Sequence, residues 1–112
     1  MTSTRTEERP ESRRLDLHGA YFPNTSLRKT NLTRANLSRA NCTNVDFSEA
    51  ILKDANLSGT ILAKANLRGA DLQNAILTGA DLRGADLTDA RNLTEDQIRS
   101  ALIDETTILP AV

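Results

Sequence analysis

Fifteen consecutive blocks of five residues run without a gap from Leu15 to Asp89, and this repeat constrains the fold more than any other feature of the chain. Position three of every block is apolar: it holds twelve leucines, two phenylalanines and Cys42. A period of five excludes a single straight element. On a helix it would distribute the apolar residues over all faces, and on a strand it would alternate them between the two faces. The chain must therefore turn once in every block.

The other positions of the block show where that turn lies. Position one is Ala in ten blocks, and position two is Asn or Asp in ten, as in the blocks ANLSR, ANLSG and ADLRG. Position five contains every glycine of the chain, together with several Asn and Asp residues. These residue types tolerate backbone conformations that are costly for others, so the pattern predicts a corner at position five.

These A-[DN]-L-x-x blocks resemble the pentapeptide-repeat family, and the resemblance covers 75 of the 112 residues. It implies an all-β solenoid, a right-handed quadrilateral β-helix with four blocks per coil and about four coils. Positions one and three would face inward, and residues twenty apart would stack. The structural core expected from this register consists of Leu17, Phe22, Leu27, Leu32, Leu37, Cys42, Phe47, Leu52, Leu57, Leu62, Leu67, Leu72, Leu77, Leu82 and Leu87.

The two ends of the chain differ from the repeat. Residues 90–112 are predicted to form a C-terminal cap with a short α-helix at about 95–103, because Thr94 and Gln97 have the spacing of a capping box. Residues 1–14 are polar and charged, and we expect them to be disordered. The solenoid itself is assigned to residues 15–89, and its first coil has no evident cap in the sequence.

Composition limits the possible functions. The net charge is −1, and the repeat contains eight acidic and eight basic residues, so a dedicated nucleic-acid surface is not expected. Residues 1–44 are basic on balance and residues 45–112 acidic. The sequence has neither a signal-peptide pattern nor an apolar run of about 20 residues, which favours a soluble cytoplasmic protein that does not bind membranes.

No residue has the surroundings expected of a catalytic residue or a metal ligand. His18 is assigned to an outward position of the first block, where a solvated histidine is the simpler interpretation. Cys42 is assigned to the core, and one cysteine with one histidine cannot make a disulfide or a typical metal site. The sequence therefore predicts a non-enzymatic protein with no cofactor, no metal and no small-molecule substrate.

A rigid prism without a substrate cavity favours a protein–protein interaction or scaffolding module. The resemblance offers an alternative, a DNA mimic that binds a type II topoisomerase such as gyrase, but the balanced charge disfavours it. A third possibility is a small subunit or docking piece of a larger assembly. Isoleucine replaces Asn or Asp at position two in three blocks, on three different sides of the predicted prism. The candidate interface residues are Leu15, Leu17, Tyr21, Phe22 and Ile61.

The partner could be another protein or a second copy of the chain. Two copies meeting through their first coils would form a two-fold contact, but Arg13, Arg14, Arg28 and Lys29 would then repel each other. An acidic protein, or the acidic C-terminal half of another copy, is the competing expectation.

Overall fold

The computed structural model describes residues 14–111, and within them the chain turns once in every five residues from Leu15 to Asp89. Each block has one bridging residue at position two and a turn at positions four and five. All but the last residue of the segment predicted to be disordered, residues 1–14, lie outside the described range.

Parallel bridges join residues twenty apart, which places four blocks in each coil. The bridges Asn36↔Asn56 and Asn56↔Ile76 are typical of the whole series. Between these coils the Leu37 N–H donates to the Asn56 carbonyl at 2.8 Å, and the Asn56 N–H donates back to the Ala35 carbonyl at 2.9 Å. Each coil therefore carries a parallel ladder on every side, and the molecule is a β-solenoid.

The interior of the solenoid is a shaft of leucines with alanines between them. Among the fifteen position-three residues, the twelve from Leu32 onward are buried, whereas the first three lie half-buried against the core. Thr60 also faces inward, and its hydroxyl donates to the Leu37 carbonyl at 2.7 Å, so this buried polar group has a partner. The half-buried members of the predicted core are Leu17, Phe22 and Leu27.

Every corner uses a left-handed backbone conformation. The fifteen position-five residues from Gly19 to Asp89 have φ between 58° and 76°. Glycine adopts this conformation at the lowest cost, because it has no Cβ atom. A Cβ atom on Gly84 would lie 3.2 Å from Cγ of Lys64. Lys64 itself adopts φ 61°, a conformation that costs a non-glycine residue about 1 kcal/mol.

Position two stabilises the turn through its side chain. The Oδ1 atom of Asn36 accepts hydrogen bonds from the Ser38 N–H at 3.0 Å and from the Ser38 hydroxyl at 2.7 Å. Asn41 and Asn56 make the same pair of bonds to the residue two positions later. This Asx turn explains why Asn or Asp at position two so often precedes Ser or Thr at position four.

The single helix of the described residues, α1 (Glu95–Ser100), is shorter than the predicted 95–103. Thr94 and Gln97 form the predicted capping box, but Ala101 is extended and ends the helix. The chain then pairs with the solenoid again, because the Leu102 N–H donates to the Ala80 carbonyl at 2.8 Å. The preceding coil has unpaired backbone groups at its edge. The chain forms ladder bonds with these groups instead of continuing the helix to residue 103.

Residues 90–111, called here the C-terminal layer, are therefore an incomplete further coil as well as a cap. Arg91 pairs with Asp71, Leu102 with Asp81, and Ile108 with Asp86, while α1 occupies the fourth side. The separations of the last two pairs are 21 and 22 residues, so the five-residue period gave no sign of them. Within residues 14–111, no helix has the length and apolar character needed to cross a membrane.

Candidate interaction surface at the first coil

The first coil, residues 15–34, has an incompletely covered interior. Leu17, Phe22 and Leu27 are half-buried, although their counterparts one coil later are fully buried. Leu15 and Tyr21 are exposed, Tyr21 to 77%. Four of the five predicted interface residues therefore lie together on this coil, and the cause is that the described residues place no coil in front of it.

The backbone of this coil also ends in an open ladder. From Asn36 onward, the position-two N–H of each block donates to a carbonyl of the preceding coil, as Asn36 does to Leu15 at 2.8 Å. Within residues 14–111, the four corresponding N–H groups of the first coil have no backbone acceptor, and the carbonyl groups of the same residues have no backbone donor. We call this surface the first-coil edge; its position-two residues are Asp16, Tyr21, Ser26 and Asn31.

Residues 14–34 carry a net positive charge. The one acidic residue of this range is Asp16, and its four basic residues are Arg14, Arg28, Lys29 and Arg34. Lys29 lies 3.9 Å from a carboxylate of the next coil in an exposed ion pair, which is a weak interaction in water. An acidic partner would therefore meet a favourable field at this edge.

The opposite end of the solenoid is covered. The backbone of the C-terminal layer pairs with the last regular coil on three sides. On the fourth side the Gln97 amide nitrogen donates to the Leu72 and Ala75 carbonyls, at 2.8 and 2.9 Å. The Thr107 hydroxyl donates to the Leu82 carbonyl at 2.8 Å. The last regular coil thus has a hydrogen-bonded cover that the first coil lacks within residues 14–111.

Ile61, the fifth predicted interface residue, lies apart from the others. It is 38% exposed and belongs to the same column of bridges as Tyr21, but Asn41 lies between them. The Asn41 side chain is bonded to Thr43, which makes the middle of this column polar. The structure therefore does not join Tyr21 and Ile61 into one apolar strip. Ile51 and Ile76 lie in two other columns.

A second exposed apolar surface, which the sequence pattern did not predict, lies on the C-terminal layer. Its large side chains at positions 102, 103, 108 and 109 are all exposed. Beside them is a groove of about 540 Å³ between α1 and the end of the chain, lined in part by Leu93, Ile98 and Pro110. No regular spacing marks these residues, so only the pairing of the layer with the last coil reveals them. The four exposed residues are Leu102, Ile103, Ile108 and Leu109.

The residues considered for chemistry are not assembled into a site. His18 is exposed, and its backbone N–H and ring Nδ1 both lie 3.1 Å from Oδ1 of Asp16. Hydrogen bonds from His18, first from its backbone, lower the pKa of the Asp16 carboxyl. Cys42 is buried among leucines, and this burial raises the pKa of its thiol to about 12. Residues 14–111 bring no three potential metal ligands together.

Comparison with known proteins agrees with the repeat seen in the structure. The sequence matches the family described as Pentapeptide repeats, in eight copies over residues 16–54 and 50–89. No curated protein matches the sequence.

Two solved structures give the comparison in three dimensions. A pentapeptide-repeat protein from the thylakoid lumen of Arabidopsis thaliana is 32% identical over 72% of this chain, with a TM-score of 0.68. The match spans 56% of that protein. A trypsin-treated variant of QnrB1, a plasmid-mediated fluoroquinolone resistance protein, is 16% identical over 80% of this chain and 76% of its own, with a TM-score of 0.52. The second likeness shows a shared fold.

Proposed function

We propose that this chain, which belongs to the pentapeptide-repeat family, is a non-enzymatic module that binds another protein chain through the first-coil edge. Members of this family are generally structural or interaction modules. The observation that carries the proposal is the combination of an open ladder with three half-buried core residues, Leu17, Phe22 and Leu27, at the end of the solenoid opposite the C-terminal layer.

The chemistry of this edge suits a polypeptide partner. An open strand edge recognises another backbone by adding a strand, which gives affinity, while adjacent side chains give specificity. Tyr21 provides a large exposed ring with a polar hydroxyl, a residue type that is enriched in protein interfaces. Exposed edges of this kind promote aggregation when they stay uncovered, so a bound partner would also protect the molecule.

The sides of the solenoid support binding less well. Their isolated isoleucines lie in different columns, and single exposed apolar residues are normal on protein surfaces. Several charges on the sides neutralise each other locally, as in the Arg68–Asp86 pair at 3.2 Å and the Arg83–Asp81 pair at 2.8 Å. A DNA mimic needs an extended acidic surface. The repeat contains equal numbers of acidic and basic residues, which disfavours that alternative.

The proposal is tested by a substitution at the edge and a matched one on the side. Tyr21→Asp and Ile61→Asp both introduce the residue type that is common at position two, and both lie in one column. We expect Tyr21→Asp to abolish capture of the native partner from a lysate of the source organism, and Ile61→Asp to leave it unchanged. Leu17→Glu and Phe22→Glu should act like Tyr21→Asp. Unchanged partners in all three edge variants would refute the proposal.

A gyrase supercoiling assay tests the alternative function. We expect no inhibition, because the surface charge is balanced. Inhibition at sub-micromolar protein would favour the DNA-mimic interpretation over the one proposed here.

A further inference from the structure

The two ends of the molecule are complementary in backbone, column order and charge, and we infer that the partner of the first-coil edge is the C-terminal layer of a second copy. Copies of the chain then stack head to tail along the solenoid axis. This inference rests on the proposed function, since it names the partner of the same edge.

Every junction between regular coils has the same hydrogen-bonding pattern. A position-three N–H donates to the position-two carbonyl of the next coil, and a position-one carbonyl accepts the position-two N–H of that coil. In the C-terminal layer, the Ile103 N–H and the Ala101 carbonyl flank Leu102 in the same way. Within residues 14–111 neither group has a backbone partner.

The same arrangement recurs on one more side of the layer, where Leu109 supplies the N–H and Thr107 the carbonyl around Ile108. Residues 14–111 contain no backbone partner for these groups. The layer therefore presents, on the sides of Leu102 and Ile108, the donors and acceptors that the N–H and carbonyl groups of the first-coil edge require.

The order of the columns agrees with this pairing. The column that begins at Tyr21 ends at Leu102, the column that begins at Ser26 ends at Ile108, and that of Asn31 ends at Arg91. A second copy placed on the same axis without rotation would therefore continue the columns of Tyr21 and Ser26. Its Asn31 would not reach Arg91, because Arg91 precedes Leu102 and Ile108 along the coil whereas Asn31 follows Tyr21 and Ser26. Tyr21 would then lie beside Leu102, which is 49% exposed, and the contact would cover both side chains.

Charge selects this arrangement over contact between two first-coil edges. Arg14, Arg28, Lys29 and Arg34 of two copies would repel one another in an edge-to-edge dimer. The C-terminal layer has the opposite sign, with four acidic residues against two basic ones. Arg99 is already paired with Glu95 and Asp96, at 3.1 and 3.2 Å. The remaining two acidic residues of the layer are Asp104 and Glu105.

Residues 1–13 are a less suitable cover for the first-coil edge. Met1 is their only large apolar residue, and their three basic and three acidic side chains balance. The C-terminal layer instead offers four exposed large apolar side chains. A contact between unlike surfaces does not close on itself, so the stack should lengthen as the concentration rises.

The test uses sedimentation velocity on the full chain at increasing concentrations. Three variants place Asp at position two of one column: Tyr21→Asp at the first-coil edge, Leu102→Asp in the C-terminal layer, and Ile61→Asp on the side as the control. The wild type and Ile61→Asp should form larger species as the concentration rises. Each end variant should associate about tenfold more weakly or not at all.

Mixing the two end variants gives the decisive result. The Tyr21→Asp chain keeps an intact C-terminal layer, and the Leu102→Asp chain keeps an intact first-coil edge. An equimolar mixture should therefore form a dimer and nothing larger. A Leu102→Asp variant that associates like the wild type, or a wild type that stays monomeric throughout, would overturn head-to-tail stacking. In either case, loss of a captured partner in Tyr21→Asp would leave the proposed function standing, and its retention in Tyr21→Asp, Leu17→Glu and Phe22→Glu would refute both.

Discussion

The side-chain amide of Gln97 donates a hydrogen bond to the Ala75 carbonyl at 2.9 Å, in the place where a regular coil would supply a backbone N–H. One side earlier, the Ala70 carbonyl accepts the Arg91 N–H at 2.7 Å. After Thr94 the chain has entered α1, and a side chain takes over the ladder bond. The same residue accepts the Thr94 N–H through Oε1 at 2.7 Å, so it closes both the helix start and the solenoid edge.

Gln97→Ala should therefore lower the free energy of unfolding more than a substitution in a short exposed helix usually does. The substitution removes the capping-box acceptor and the donor for two carbonyls, and each net hydrogen bond contributes about 0.5–1.5 kcal/mol. We expect the free energy of unfolding in urea to fall by about 2–3 kcal/mol. Gln73→Ala is the matched control, since that side chain is exposed on the preceding coil. Equal stability of the two variants would show that the Gln97 amide does not close the edge.

Leu57 and Ser58 are adjacent residues with opposite burial, and they test the register of the repeat. Leu57 is fully buried, so Leu57→Lys should prevent folding and Leu57→Ala should cost about 2–5 kcal/mol. Ser58 is half-buried, and its hydroxyl donates to Asn56 at 2.7 Å. Ser58→Lys should therefore cost about 1 kcal/mol. Thermal melts followed by circular dichroism separate the two lysine variants, and equal melting temperatures would contradict this register.

The regular part of the fold could be predicted from the sequence because one five-residue rule governs it. An unbroken series of apolar residues at position three, with glycine and asparagine at position five, leaves a turning chain as the physical solution. The rule does not report how well the end of a shaft is covered. Leu17 satisfies the pattern as fully as Leu57, yet it is only half-buried, because burial needs coils on both sides.

The C-terminal layer could not be predicted because its pairing is irregular. Leu102 and Ile108 join columns after inserting one and two extra residues, so no period marks them. Thr94 and Gln97 gave the start of α1, but the end of the helix depends on ladder bonds with the preceding coil. The Asx turns were visible only as a preference for Asn and Asp, because the sequence does not show that Oδ1 holds the turn.

Ile76 should be replaceable by Asn with a gain in stability. Isoleucine at this position cannot accept the hydrogen bonds that Asn31 accepts from the Thr33 N–H at 3.1 Å and hydroxyl at 2.6 Å. Ile76 is 47% exposed and is followed two residues later by Thr78, so Ile76→Asn restores the Asx turn. We expect the free energy of unfolding to rise by about 0.5–1.5 kcal/mol.

Asn31→Ile is the reciprocal change and should lower the stability by a similar amount. Both variants are compared with the wild type in urea. Loss of stability in Ile76→Asn would show that the isoleucine makes a packing contribution greater than the hydrogen bonds of the turn.

The buried thiol of Cys42 predicts how the free energy of unfolding depends on pH. Burial raises the pKa of this thiol from its ordinary value of 9.0 to about 12. Between these two values the unfolded chain loses the proton while the folded chain keeps it. The folded state then binds more protons, so the free energy of unfolding falls as the pH rises through this window, and the full contribution is present below pH 9.0.

The variant that isolates this effect is Cys42→Ala, because the two chains differ only at this side chain. The wild type should be the more stable protein below pH 9.0, since alanine leaves a small cavity in the shaft. Its advantage should shrink steadily above that pH in urea titrations. The native thiol should also react with a disulfide reagent only as fast as the chain unfolds, because the thiolate is the reactive form and is disfavoured inside the shaft. Rapid labelling of the folded protein, or a constant advantage at all pH values, would place Cys42 outside the core.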